Sequence, residues 1–161
     1  MFNIQPLFSK SQTNEAECNG IKYYRYFPIR ISNKMTIRIS FVEINSTFEQ
    51  AILFLFPCDF SGNIQINGKN VLLKKGSFRK LNFWARTAPT QFEVTVSNFI
   101  GEIRICNGSD PLGNMQFCKH LSDGCAMHIE NIGTNRYRMH CNDHELDLDC
   151  NDLIFDVEIR N

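Results

Sequence analysis

Hydrophobic and polar residues alternate along much of the chain, most regularly between Lys34 and Ile44. The odd-numbered positions from Met35 to Phe41 are apolar, and the even-numbered positions between them are polar. Because successive side chains of a strand point to opposite faces of a sheet, this period of two predicts a strand with one buried face. The segment 153–159 repeats the pattern. No segment shows a sustained apolar stripe at helical spacing, so the pattern predicts an all-β protein.

Shorter apolar runs, separated by turn residues, predict the remaining strands. They lie at 21–32, 48–56, 71–73, 78–84, 126–129 and 136–141. Pro28 indicates an edge strand or a bulge, because proline cannot donate a hydrogen bond to a neighbouring strand. Residues 1–20 are polar and irregular, which predicts an N-terminal arm on the surface. About ten short strands at regular spacing predict a single antiparallel β-sandwich of jelly-roll type over residues 21–161.

A short internal repeat links two segments of the predicted sandwich. The sequence Phe-x-Gly-x-Ile-x-Ile begins at Phe60 and again at Phe99, and the two copies run on to Asn67-Gly68 and Asn107-Gly108. Glycine permits backbone geometry that is closed to other residues, and Asn-Gly is typical of a tight hairpin turn. Two copies are too few for a solenoid. The repeat therefore predicts two equivalent hairpin corners.

Size and composition narrow the class of protein. The 161 residues suffice for one domain with a sizeable core, and 43% hydrophobic with 21% charged residues excludes wholesale disorder. Seventeen basic and seventeen acidic residues give a formal net charge of zero, so no nucleic-acid partner is expected. The longest apolar run, 51–57, is too short to span a bilayer.

The cysteines bear on the compartment in which the protein works. There are seven, an odd number, and the N-terminal residues show no signal-peptide pattern. Both observations predict reduced thiols and a cytoplasmic location. Release by a non-classical route stays open as the alternative, and it would favour disulfides among the last five cysteines.

The densest group of oxygen-bearing side chains lies just before the last predicted strand. It consists of Asp143, Asp147, Asp149, Asn151 and Asp152. Carboxylate and amide oxygens are the ligands that Ca²⁺ prefers, and carboxylates at this density repel one another unless a cation or solvent relieves them. This acidic segment therefore predicts a divalent-cation site, with a solvated acidic turn as the alternative.

An EF-hand is excluded by the context of the acidic segment. With Asp147 as the first position, Asp149 and Asn151 fall at the third and fifth positions, and Glu158 at the twelfth. The sixth position needs glycine for a sharp turn, and here it is Asp152. A strand pattern also takes the place of the flanking helices.

The last quarter of the chain carries a further motif. Tyr137 begins the sequence Tyr-x-Met-His-Cys-Asn-Asp, and Asp147 begins Asp-x-Asp-x-Asn-Asp followed by Leu-Ile-Phe. This order resembles the end of certain bacterial β-sandwich modules found in adhesins and carbohydrate-associated proteins. The resemblance implies that the acidic segment binds Ca²⁺. The chain departs from the pattern at Cys150, where an aromatic residue is usual, and at Asn142, where an acid is usual, and the second departure lowers the charge of the site.

Thiols and imidazoles in the same region provide an alternative, zinc. Three pairs have spacings that Zn²⁺ uses: Cys118-x-His120, Cys125-x-x-His128 and Cys141-x-x-His144. A structural zinc site usually contains a Cys-x-x-Cys knuckle, and the sequence has none. Packed cysteines with surface histidines are the simpler interpretation.

The single tryptophan offers a candidate ligand-binding surface. Trp84 has the strand parity of Asn82 and lies two residues before Arg86. If the ring faced outward, the three side chains would form an apolar platform flanked by hydrogen-bonding groups, which suits the C–H face and hydroxyl rim of a sugar. The alternative is that Trp84 closes one end of the core, a commoner position for a lone tryptophan.

These features predict a binding protein, and an enzyme is not expected. The sequence contains no Gly-x-Ser-x-Gly, no His-Glu-x-x-His and no phosphate-binding glycine loop. The sandwich pattern and the acidic segment together predict a carbohydrate-binding, lectin-like module with a Ca²⁺ site and a glycan or glycoconjugate as its partner. The alternative is a structural or protein-interaction sandwich that forms a homo-oligomer through exposed strands and does not bind glycans.

Overall fold

The computed structural model describes residues 4–11, 13–74, 79–115, 125–143 and 147–161. This part of the chain contains one short helix, α1 (Gln5–Ser11), and eleven strands that pair antiparallel. The strands are β1 (Glu15–Cys18), β2 (Ile21–Tyr24), β3 (Phe27–Ile44), β4 (Glu49–Phe56), β5 (Asn63–Ile66), β6 (Lys69–Val71), β7 (Arg79–Trp84), β8 (Gln91–Asp110), β9 (Ala126–Gly133), β10 (Arg136–Asn142) and β11 (Leu153–Arg160). The predicted all-β, antiparallel sandwich is confirmed.

Two strands are much longer than the others and run through both halves of the fold. β3 has 18 residues and β8 has 20. They pair along most of their length, and the register shifts between Asn33 and Lys34. A bulge of this kind bends a strand and increases its twist. The sequence predicted separate strands at 21–32 and 34–44. The structure instead divides the first segment at residues 25–26, between β2 and β3, and the interruption at Asn33 is a bulge inside β3. Pro28, which indicated an edge or a bulge, lies where only β8 is paired with β3.

The strands form one connected sheet that folds over on itself. Its order is β1-β2-β9-β10-β11-β3-β8-β4-β7, and β5 joins at β8 with β6 beside it. The first part of β8 pairs with β3 and β5, whereas its end pairs with β4. Phe83 of β7 stacks on Phe92 of β8 with ring centroids 4.2 Å apart, although these two strands are not neighbours in the sheet. This contact shows that the two halves of the sheet face each other across the main core.

The N-terminal residues help to form a second, smaller core. Ile4 and Phe8 are fully buried and pack with Ala16, Tyr23 and Ala126. Ile4 and Phe8 lie four residues apart, which puts them on one face of a helical turn. Where the structure describes it, the predicted irregular arm over residues 1–20 therefore carries a helix, a strand and buried contacts. With Leu7, which also packs against this core, the helical turn has only three apolar residues, too few to show as a periodic pattern.

The two copies of the internal repeat end differently. Asn67 and Gly68 have positive φ angles of 48° and 78° and form the turn between β5 and β6, as predicted. Asn107 and Gly108 instead lie inside β8, where they pair with Ile52 and Ala51 of β4. The second predicted turn is therefore wrong. The chain stays extended there because β4 provides hydrogen-bond partners as far as Asp110.

What the two copies share is a phenylalanine ring packed over the glycine two residues later. A Cβ atom at Gly62 would lie 3.0 Å from the ring of Phe60, and one at Gly101 would lie 2.5 Å from the ring of Phe99. The two rings also contact each other, with centroids 4.7 Å apart. The repeat thus marks a contact between two segments of the sheet.

The described residues show the state of most of the cysteines and whether any helix could cross a bilayer. Six cysteines are described, and all are free thiols: Cys18, Cys58, Cys106, Cys125, Cys141 and Cys150. This agrees with the prediction of unpaired thiols. In the part of the chain that the structure describes, no helix has the length and apolar character needed to cross a bilayer.

Candidate functional site

Three carboxylates of the acidic segment converge on one point. One oxygen from each of Asp147, Asp149 and Asp152 lies within 4.8 Å of the others. Among the described residues, this is the only group of three or more His, Cys, Asp or Glu side chains that approach so closely. Asp147 and Asp149 are exposed, whereas Asp152 is buried. Such a set offers a hard cation several oxygens, and the exposed side leaves room for water to complete its coordination.

The backbone of the acidic segment is strained in a way that separates its acidic and apolar side chains. Leu148 and Cys150 have φ angles of 56° and 52°. This left-handed conformation costs of order 1–3 kcal/mol for a residue other than glycine. The side chains of Leu148 and Cys150 pack against the second core, while Asp147 and Asp149 face solvent. Packing of the two apolar side chains therefore supports the strained turn, and strain of this kind is concentrated at functional sites.

Asp152 joins the acidic segment to the loop between β3 and β4. Its backbone carbonyl accepts hydrogen bonds from the N–H groups of Asn45, at 2.9 Å, and Ser46, at 3.3 Å. Its carboxylate accepts one from the N–H of Asp143 at 2.8 Å. Burial is the main cause that raises the pKa of Asp152 to about 7; repulsion from neighbouring carboxylates adds to the rise, and the Asp143 hydrogen bond opposes it. A bound cation would favour the charged form of this carboxylate.

The other two predicted ligands occupy supporting positions. Asp143 is fully buried, and its carboxylate accepts hydrogen bonds from the Ser46 hydroxyl and the Gln50 side-chain amide. Asn151 donates its N–H to Asp149 Oδ1 at 3.2 Å. The carbonyl of Asn151 accepts a hydrogen bond from the Asn45 side chain at 2.9 Å. Asp143 and Asn151 therefore position the acidic segment and the β3–β4 loop relative to each other.

A strip of buried polar side chains extends from Asp143 into the interior. Gln50 of β4 pairs with Ser109 of β8, and Asn107 follows on the same face two residues away. Asn107 donates its side-chain amide to the carbonyl of Asn142 at 2.7 Å. The oxygens Gln50 Oε1, Asn107 Oδ1 and Ser109 Oγ are buried and have no hydrogen-bond partner among the described residues. These side chains make this end of the core polar, in contrast to the apolar main core.

Sequence reasoning missed this strip because each member stands in a misleading local context. Gln50 directly precedes the apolar run of β4, and Asn107 carries a turn signature. The strip depends on the pairing of β4 with the end of β8, and local sequence patterns do not reveal that pairing. Only that pairing brings Gln50 and Ser109 together.

A cleft of about 220 Å³ opens beside the β3–β4 loop. Its walls are formed by Ile44, Ser46, Thr47, Phe48, Glu49, Gln50, Ala85 and Arg86. Arg86 and Glu49 form an ion pair at 3.2 Å on the rim. Ser46 and Gln50 also contact Asp143, so the cleft and the acidic segment share supporting residues. Clefts that enclose drug-sized ligands measure roughly 300–1,000 Å³, so this one suits a single small polar unit.

The predicted sugar platform at Trp84 is not formed. Trp84 has the parity of Asn82, as predicted, but the residue is only 9% exposed and belongs to the main core. Asn82 is exposed and does not line the cleft, and Arg86 alone of the three lines it. The outward orientation of Trp84 is therefore corrected: a large indole ring gains most by packing, as the alternative interpretation held.

The candidate zinc ligands do not come together within the described residues. Three of them lie outside that part of the chain: Cys118, His120 and His144. Cys125 and Cys141 are buried, and burial is the main cause that raises the pKa of the Cys141 thiol. His128 contacts a backbone carbonyl at 3.2 Å, and His140 pairs with a glutamate at 3.0 Å.

Comparison of the chain with known protein families, with curated proteins and with solved structures gives no match. The case for a function therefore rests on the geometry of the acidic segment and of the cleft beside it.

Proposed function

We propose that this protein is a non-catalytic binding module that uses a divalent cation, Ca²⁺, to shape a cleft for a carbohydrate unit. The observation that carries the proposal is the convergence of carboxylate oxygens from Asp147, Asp149 and Asp152 within 4.8 Å. An all-oxygen set with an exposed side matches the preference of Ca²⁺, and the absence of thiol or imidazole from this set disfavours zinc.

Cation binding and the cleft are linked through the β3–β4 loop. Without a cation, the three carboxylates repel one another and the segment gains by spreading. A cation would draw them together and fix Asp152, whose carbonyl accepts the N–H groups of Asn45 and Ser46. Thr47 and Phe48, which line the cleft, directly follow Ser46 in the chain. Cation binding would thus preorganise the cleft and reduce the entropy lost when a ligand binds.

The lining of the cleft suits a carbohydrate. Phe48 offers part of an apolar ring for C–H groups, while Thr47 offers a hydroxyl. The guanidinium of Arg86 provides hydrogen-bond donors, and the carboxylate of Glu49, with which it forms an ion pair, provides acceptors. A few polar groups placed around an apolar surface are typical of sites that recognise small polar ligands.

A glycan array probed in the presence of Ca²⁺ and then of EDTA tests this function. We expect binding to a restricted set of glycans with Ca²⁺ and a loss of binding in EDTA. Arg86→Ala should abolish binding, and Arg30→Ala, which changes an exposed arginine outside the cleft, should leave it unchanged.

Binding to no glycan in either condition would reject the carbohydrate function. If the protein also formed a defined homo-oligomer, the result would favour the alternative of a self-assembling interaction module. Glycan binding that persists in EDTA would support the carbohydrate function and reject the role of the cation.

A further inference from the structure

A second cleft, of about 420 Å³, lies where the N-terminal segment meets the β2–β3 connection and β8. Its lining comprises Phe8, Ser9, Thr13, Asn14, Arg25, Tyr26 and Arg104. None of these residues belongs to the acidic segment or to the cleft beside Arg86. What this second cleft binds is therefore independent of the proposed carbohydrate function.

The charge of this cleft is of one sign. Arg25 and Arg104 are the only cationic side chains in the described lining, and no carboxylate is among them. Arg104 pairs through its Nε with Glu102 at 2.8 Å. Arg25 has no carboxylate partner among the described residues, and its buried Nε has no hydrogen-bond partner there. A guanidinium without a carboxylate partner favours an anionic ligand, because a partly buried charge gains from a counter-charge.

Aromatic rings orient both guanidinium groups. The Arg25 guanidinium lies over the ring of Phe8, 5.0 Å from its centroid, and that of Arg104 lies over the ring of Tyr26 at 4.2 Å. Cation–π contacts at these distances restrict the planes of the guanidinium groups, and the terminal Nη groups are the donors that a ligand in the cleft could meet. The rings therefore limit the entropy that the two arginines would lose on binding a ligand.

The backbone around Arg25 is also fixed. Asn14 accepts the N–H of Tyr26 through Oδ1 at 3.0 Å and donates its side-chain amide to the Tyr26 carbonyl at 2.8 Å. The N–H of Arg25 donates to the carbonyl of Asn14 at 3.0 Å. These bonds join the turn before β1 to the start of β3, so Arg25 projects from a braced segment.

From this geometry we infer that the cleft lined by Arg25 and Arg104 binds a tetrahedral oxyanion, a phosphate or sulfate group carried by a small ligand. Two planar guanidinium forks can each donate two parallel hydrogen bonds to such a group. The Ser9 hydroxyl lies in the same lining and can meet the polar remainder of the ligand, whereas the Thr13 hydroxyl donates to the carbonyl of Glu15 at 2.8 Å. The zero net charge of the chain makes this a local recognition site, since no overall positive field attracts anions.

Titration of the full chain with sodium phosphate and with sodium sulfate tests the inference, with ionic strength held constant by sodium chloride. The arginine Nε–Hε signals of ¹⁵N-labelled protein should shift and saturate for Arg25 and Arg104. Arg104→Lys keeps the charge and removes the fork, and it should weaken binding by about tenfold or more, since a lost charge-assisted hydrogen bond is of that size. The matched control, Arg136→Lys, changes an exposed arginine on β10 and should bind as the wild type does.

Three outcomes would overturn the assignment. The first is a shift that grows linearly without saturating, as a general salt effect does. The second is wild-type affinity in both single variants, Arg104→Lys and Arg25→Lys. The third is binding of acetate as tight as that of phosphate, which would reject a tetrahedral ligand. Glucose 6-phosphate and glucose 6-sulfate then distinguish the two sources of the group, and an unchanged melting temperature of Arg104→Lys shows that the fold is intact.

Discussion

Asp152 differs from Asp147 and Asp149, the other two carboxylates of the candidate site, because it is buried while they are exposed. Burial raises its pKa to about 7, against an ordinary value of 3.8. The folded protein therefore holds this proton more tightly than the unfolded chain does. It follows that the contribution of Asp152 to stability is fully present only below about pH 4, and that it is lost progressively as the pH rises to about 7.

Replacing Asp152 with asparagine should show this directly. Asparagine has no proton to lose, and its Oδ1 can still accept the N–H of Asp143. In EDTA, Asp152→Asn should raise the melting temperature relative to the wild type by more at pH 8 than at pH 5, because the wild type loses stability progressively between about pH 4 and pH 7. Thermal unfolding at the two pH values measures the difference. Asp59→Asn, an exposed control, should show no such pH dependence, and an equal effect of Asp152→Asn at both pH values would contradict the account.

At the scale of elements, the contact between the two Phe-x-Gly segments depends on the missing side chain of Gly62. A Cβ atom there would lie 2.6 Å from the carbonyl oxygen of Ser97 and 2.8 Å from Cβ of Phe99. The first of these atoms belongs to the backbone, and the second is fixed to it. Neither can move without displacing β8, so β5 and β8 approach as closely as they do only because this position is glycine.

Gly62→Ala should therefore destabilise the fold by about 1–3 kcal/mol, the usual cost of overpacking. Gly133→Ala is the matched control, because its Cβ atom would meet no atom closer than 3.8 Å. That change should stay within about 0.5 kcal/mol of the wild type. Urea unfolding gives both values, and equal stability of the two variants would refute the close approach of β5 to β8.

Strand periodicity explains which elements were predictable. The inward residues of the regular strands, such as Ile37, Ile39 and Phe155, are fully buried as their alternation predicted. The interior course of β8 past Asn107 was not predictable, because it depends on pairing with β4. The same holds for the burial of Trp84, which the parity of its strand leaves undetermined.

The candidate site was predictable in composition but not in shape. The sequence identified the acidic segment, yet the convergence of Asp147, Asp149 and Asp152 depends on left-handed backbone at Leu148 and Cys150. Neither residue type favours that conformation. Tertiary packing against the second core supports it, and no local pattern signals such packing.

At the scale of the whole molecule, the acidic segment lies between the two cores. Leu148 and Cys150 pack against the smaller core that α1 and β2 help to form. Leu153, directly after Asp152, belongs to the main core. A cation that binds the acidic segment would therefore connect the two cores, and its effect should appear in the stability of the whole fold.

Thermal unfolding with Ca²⁺ and with EDTA tests this account most directly. A cation that binds only the folded state at a hundredfold excess over its dissociation constant adds about 2.7 kcal/mol. For a chain of this length, that raises the melting temperature by roughly 5–10 °C. EDTA should remove the increase, Asp149→Asn should greatly reduce it, and Asp59→Asn should retain it. A wild-type melting temperature indifferent to Ca²⁺ and EDTA, or an undiminished increase in Asp149→Asn, would contradict a cation site at these three carboxylates.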